Sequence, residues 1–135
     1  VSSENKNEVD YEAIDTEIEA VFVRVKNEYA RTLPKKLAEL ESVIDSARAE
    51  PDQPELFTNA LNELHRMKGT LGSYDFPELA RLVASVEKLL RQNTDGLDPK
   101  ALSSSFWEQL NPQIAAIWAE GNKQAREISD SAANT

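Results

Sequence analysis

The chain has no cysteine, one histidine, one methionine and four glycines in 135 residues. Without cysteine there are no disulfides, no thiolate metal sites and no cysteine nucleophile. With one histidine, a metal would have to rely on carboxylates, so a metal centre is not expected. Few glycines and little alternation of β-branched residues leave no case for a sheet. No apolar run is long enough to span a bilayer, and no secretory leader pattern is present. A P-loop and a glycine-rich nucleotide lid are both missing, so the chain is not expected to act as a kinase by itself. A formal net charge of −9 argues against nucleic acid and anionic membranes, which reward lysine and arginine. Its simplest consequence is solubility.

What is present is helical periodicity. Hydrophobic residues make up 40% of the chain, enough to close one core at this length. Residues 1–9 and 129–135 are polar and lack periodicity, and read as a flexible lead-in and tail around one domain, 10–128. From Tyr11 to about Leu33, Ile14, Ile18, Val21, Phe22, Val25 and Tyr29 recur at helical spacing. Thr32-Leu33-Pro34 predicts a break and a new start. Leu37, Leu40, Val43, Ile44 and Ala47 form the next stripe, and Glu50-Pro51-Asp52-Gln53-Pro54 a loop.

A helix is then predicted over Glu55–Ser73. Asp75-Phe76-Pro77-Glu78 has the form of a capping box, so another helix starts there, with Leu79, Leu82, Val83, Val86, Leu89 and Leu90 on its apolar face. Asn93–Leu97 reads as a turn. Asp98-Pro99 offers a cap and first-turn proline for the last helix, which Asn111-Pro112 should kink or divide. Trp107 and Trp118 fit core and rim packing. The expected architecture is an all-α antiparallel four-helix bundle, with the segment before Leu33 as an additional N-terminal helix.

The histidine stands in Leu64-His65-Arg66-Met67-Lys68-Gly69-Thr70-Leu71-Gly72. At about 100° per residue, Ala60, Leu64, Met67 and Leu71 fall on one side of the helix or its flanks. Leu61, Lys68, Gly69 and Gly72 gather near His65 on the other. Two glycines inside a helix cost roughly 1 kcal/mol each relative to alanine, so a reason is required. One is clearance for something large over the imidazole; the other is close helix packing or fraying. A neutral imidazole is a good nucleophile near physiological pH, and an ammonium one turn away suits an anionic group.

His65-Arg66-Met67-Lys68-Gly69 resembles the core motif of the histidine phosphotransfer (HPt) domains of two-component phosphorelays. The likeness continues through Tyr74, Phe76 and the helix Glu78-Leu79-Ala80-Arg81-Leu82, with Glu87 inside it. Asp75 departs from the small residue usual there. The resemblance implies that His65 accepts a phosphoryl group and that Lys68 stabilises it, with Gly69, Gly72 and Leu61 serving access and docking. It also implies a response-regulator receiver domain or a sensor histidine kinase as partner, no cofactor of the chain's own, and Mg²⁺ only in the receiver. A monomer in the cytoplasm is expected. Two other readings stand beside it: a helical interaction module in which His65 is incidental, and the phospho-accepting domain of a chemotaxis-type kinase. The chain opens on Val1 rather than methionine, so a piece of a longer protein belongs among the expectations.

Overall fold

The computed structural model describes residues 10–94 and 102–133, with side chains to Ile128. Four helices account for nearly all of them: α1 (Tyr11–Ala49), α2 (Pro54–Ser73), α3 (Pro77–Thr94) and α4 (Ser104–Ala133). No strand occurs among the described residues. The helices form a ring in which α1 and α3 each pack on both α2 and α4. Short connections after α1 and α2 make those neighbours antiparallel. The bundle predicted from periodicity is present, and Trp107 and Trp118 pack partly buried against its core.

Several boundaries differ from the sequence reading. Pro34 does not end a helix; α1 runs through it for 39 residues, so the predicted additional N-terminal helix is the first half of α1. A proline inside a helix costs about 3 kcal/mol. Leu33, Leu37 and Leu40 are all buried around it, and a buried leucine contributes roughly 1.5–3 kcal/mol. Packing on both sides of the proline therefore outweighs the defect. The exposed Pro112 likewise sits inside an undivided α4, between buried Leu110 and Ile117.

The turn between α2 and α3 is the second difference. Asp75 has φ of 62°, the left-handed region that favours glycine. Its N–H donates to the Gly72 carbonyl at 3.2 Å, and the Phe76 N–H donates to the Leu71 carbonyl at 2.9 Å. This is a Schellman closure of α2. Asp75 thus ends the preceding helix instead of capping the next, and its position is one where a glycine would be unstrained.

The third lies at the start of α4. Asp98-Pro99 falls outside the described residues. The helix begins at Ser104, where the Phe106 N–H donates to the Ser103 hydroxyl at 3.3 Å. At its far end α4 continues through Ala133, into the stretch read as a tail.

Aromatic groups pin the two ends of the bundle. Tyr29 stacks on Tyr74 with ring centroids 4.7 Å apart, and the Lys26 ammonium lies 4.8 Å from the Phe76 ring centre. At the other end Phe57 and Phe106 flank Trp107, under the Arg48 guanidinium.

The described glycines divide into two kinds. A Cβ on Gly69 or Gly72 would meet nothing within 4 Å, whereas one on Gly121 would run into the buried Leu37 side chain. Gly121 is where α4 approaches α1 closely. Gly121→Ala is expected to destabilise the bundle by about 1–2 kcal/mol despite alanine's better helix propensity, because Leu37 cannot move freely inside the core. Gly69→Ala should be neutral or stabilising by up to about 1 kcal/mol. Urea unfolding of the two variants measures the contrast.

Candidate functional site

The site is built where α2 faces α3. On α2 the buried Phe57, Ala60, Leu64, Met67 and Leu71 face the core, which turns His65 outward with its side chain 67% exposed. The arrangement expected from the helical wheel is present. Lys68 follows one turn on, with its side chain partly exposed.

Both reach the same group on α3. Glu87 Oε2 lies 3.0 Å from His65 Nδ1, and Glu87 Oε1 lies 3.0 Å from Lys68 Nζ. Arg91 adds a third contact, its guanidinium donating to Oε2 at 3.2 Å. Glu87 is the one charged residue buried among the described residues, with 7% of its side chain exposed. A buried carboxylate needs partners, since an unpaired charge in the interior is costly. Burial pushes the Glu87 carboxyl up, but the donors from Lys68, Arg91 and His65 outweigh it and hold the group below its ordinary range.

The ionised carboxylate accepts hydrogen bonds and donates none. His65 Nδ1 must therefore be the protonated nitrogen in this contact. In a neutral imidazole that leaves Nε2 with the free lone pair. The interaction fixes the ring's tautomer and its orientation together, and it leaves the unprotonated nitrogen free of the Glu87 contact.

Gly69 and Gly72 continue the His65 face and are exposed. With nothing near their missing side chains, close helix packing does not explain them. Leu61, one turn before His65, is partly buried and packs against the core, so only part of it is available to a partner.

The sequence pattern includes Glu87 without assigning it a task, and nothing in that pattern points to Arg91. A signal existed. Glu87 stands four residues after Val83 and three before Leu90, in the register of the buried face. A carboxylate in an apolar register must find cations: Arg91, four residues on, follows from helical spacing, and the packing of α2 on α3 adds Lys68 and His65.

Because Glu87's folded pKa is depressed, its contribution to stability is complete above the ordinary glutamate value of about 4.3 and is lost as pH falls through the folded value. Glu87→Gln is expected to cost about 1–3 kcal/mol at pH 7. Its stability should also fall less steeply than wild type between about pH 5 and 3. Thermal unfolding across that range, followed by circular dichroism, measures both effects.

Among the described residues no helix is long and apolar enough to cross a membrane, and no cluster of three or more histidine or acidic residues could hold a metal ion. Searches of curated proteins and of solved structures find no significant match to the chain. The family model described as Hpt domain matches residues 24–120, the bundle from the middle of α1 into α4 and with it both helices of the histidine site. An outward histidine on a middle helix of a four-helix bundle, together with that match over most of the chain, makes this protein a member of the Hpt family, the histidine phosphotransfer domains of two-component phosphorelays.

Proposed function

We propose that His65 is the phosphoryl acceptor and that the domain relays the group to or from the aspartate of a response-regulator receiver domain. The observation that carries this reading is the Glu87 contact to Nδ1 of an exposed imidazole. In the forward step Nε2 attacks phosphorus, an N–P bond forms, and the P–O bond to the receiver's aspartate breaks with its carboxylate as leaving group. The phosphorylated ring keeps its Nδ1 proton, and the positive charge it gains lies 3.0 Å from the Glu87 carboxylate. Passing the group on reverses these bonds.

Phosphoryl transfer relies on positioning and on charge placed around the equatorial oxygens. Lys68 is suited to this. It is anchored at Glu87 through one hydrogen-bonded ion pair, yet partly exposed and long enough to lean toward the phosphoryl group. Mg²⁺ belongs to the receiver in this scheme, and the cytoplasm is the compartment where such partners act. Gly69 and Gly72 leave a low surface along α2 on which a protein can settle over His65, with the exposed part of Leu61 at its edge. The domain proposed for this work is 10–128, with 1–9 and 129–135 as flanks.

His65→Gln should abolish phosphorylation while the bundle stays folded. Partner binding and partner-dependent output left intact by this substitution would favour a non-phosphorylated interaction module in which the histidine is incidental. Lys68→Ala should slow transfer severalfold or more in a radiolabel assay. It should lower stability by no more than about 1 kcal/mol, since Glu87 keeps Arg91 and His65 as partners.

Access is tested separately. Gly72→Leu should preserve helicity and thermal stability but reduce receiver-dependent phosphorylation of His65. Phosphorylation by the small donor phosphoramidate should be nearly unaffected, since it needs no protein-sized clearance. Equal loss with both donors would move the effect from docking to the imidazole itself.

A further inference from the structure

The part of α1 before Val25 has no work in the bundle. Every residue from Asp10 to Arg24 is exposed, and burial on this helix begins only at Ala30. Yet the segment is not polar. Tyr11, Ile14, Ile18 and Val21 are 73%, 40%, 62% and 48% exposed, and Val25 is partly so. Their spacing of three and four is that of alternating a and d positions in a heptad, with Tyr11, Ile18 and Val25 at a and Ile14 and Val21 at d. At about 100° per residue this stripe lies roughly a third of a turn from the face carrying Ala30, Leu33 and Leu37. It is therefore a separate face, not the bundle's own stripe extended.

Charge decides what covers it. The g positions beside this stripe are Asp10, Glu17, Arg24 and Arg31, acidic in the first half and basic in the second. In an antiparallel coiled coil g residues face g residues of the partner helix. The register that sets Ile18 against Val21 of a second copy, and Ile14 against its Val25, also sets Glu17 against its Arg24 and Asp10 against its Arg31. Every one of these pairs is of opposite sign, and two-fold symmetry repeats each of them. A parallel pair would instead set Asp10 against Asp15, two like charges. The acidic flank formed by Asp15, Glu17 and Glu19 also disfavours an anionic lipid surface. None of Glu17, Arg24 and Arg31 is engaged in an ion pair among the described side chains.

We propose that this face pairs with the same face of a second copy, forming an antiparallel two-helix dimer through residues 10–31. The two bundles then sit at opposite ends of the paired segment. His65, on α2 and facing α3, stays outside the interface, so each copy keeps its own site. The sequence reading expected a monomer; the exposed heptad and its charge order argue otherwise.

Sedimentation velocity of the full chain is the test, from a few micromolar to several hundred micromolar. The expected result is a concentration-dependent species of twice the chain's mass. Ile18→Asp should remove it, with the helical content of the bundle retained. Glu17→Lys and Arg24→Glu should each weaken dimerisation at least tenfold, and the double variant should restore it. Because the chain has no cysteine, cross-linking is free of background. Mixing Ile18→Cys and Val21→Cys proteins under oxidation should give the mixed disulfide in preference to either homodimer. A wild-type chain that remains monomeric at all concentrations overturns the proposal. So does a dimer that Ile18→Asp leaves intact, one that the charge swap fails to restore, or cross-linking dominated by Ile18→Cys homodimers.

Discussion

A carboxylate buried between α2 and α3 must be neutralised by what surrounds it, and much of this protein's surface chemistry follows from that requirement. Glu87 lies in the apolar register of α3 and cannot turn to solvent. Its oxygens draw Lys68, Arg91 and the His65 ring to one point. Those cationic and imidazole groups would otherwise be independent side chains with many rotamers. The desolvation that makes the carboxylate costly is also what makes its hydrogen bonds strong. The imidazole is thereby oriented without being buried, a combination that an exposed ring could hardly reach on its own.

The same bundle treats its glycines in opposite ways, and the difference separates site from scaffold. At Gly121 the missing side chain lets α4 approach Leu37 on α1. At Gly69 and Gly72 the missing side chains leave open space along the helix that carries His65. Both kinds lower helix propensity by a similar amount. Only in the second is the lost stability unmatched by any packing gain within the domain. The left-handed Asp75 is a third device: it stops α2 sharply, so that α3 returns directly along it and brings Glu87 level with His65.

Helix α1 carries two apolar faces. Beyond Ala30 it closes the core, and Pro34 is absorbed because leucines on either side are fully packed. Before Arg24 it presents a second stripe, rotated from the first, with no partner inside the domain. A lone helix of that length is marginal in water, so an apolar face on it calls for something to pack against.

How much of this was legible beforehand depends on the range of the interaction concerned. Helical periods, the inward side of α2, the outward His65 and the neighbouring Lys68 are consequences of spacing along one helix, and the sequence by itself determined them. It likewise determined the family, because His65, Lys68 and Gly69 fall within one short run. Helix ends were less legible. Pro34 and Pro112 carry strong local signals for a break, and burial of residues around them overrode those signals. Asp75 looked like a cap for the helix ahead and instead closed the one behind, since Phe76 N–H reaches back to Leu71 only once α2 has formed. The partnership of Glu87 with His65 and Lys68 was decided by tertiary structure alone, whereas Arg91 reaches it from four residues on in the same helix. His65 and Glu87 are 22 residues apart in the chain, and no local rule fixes the register in which one helix packs on another.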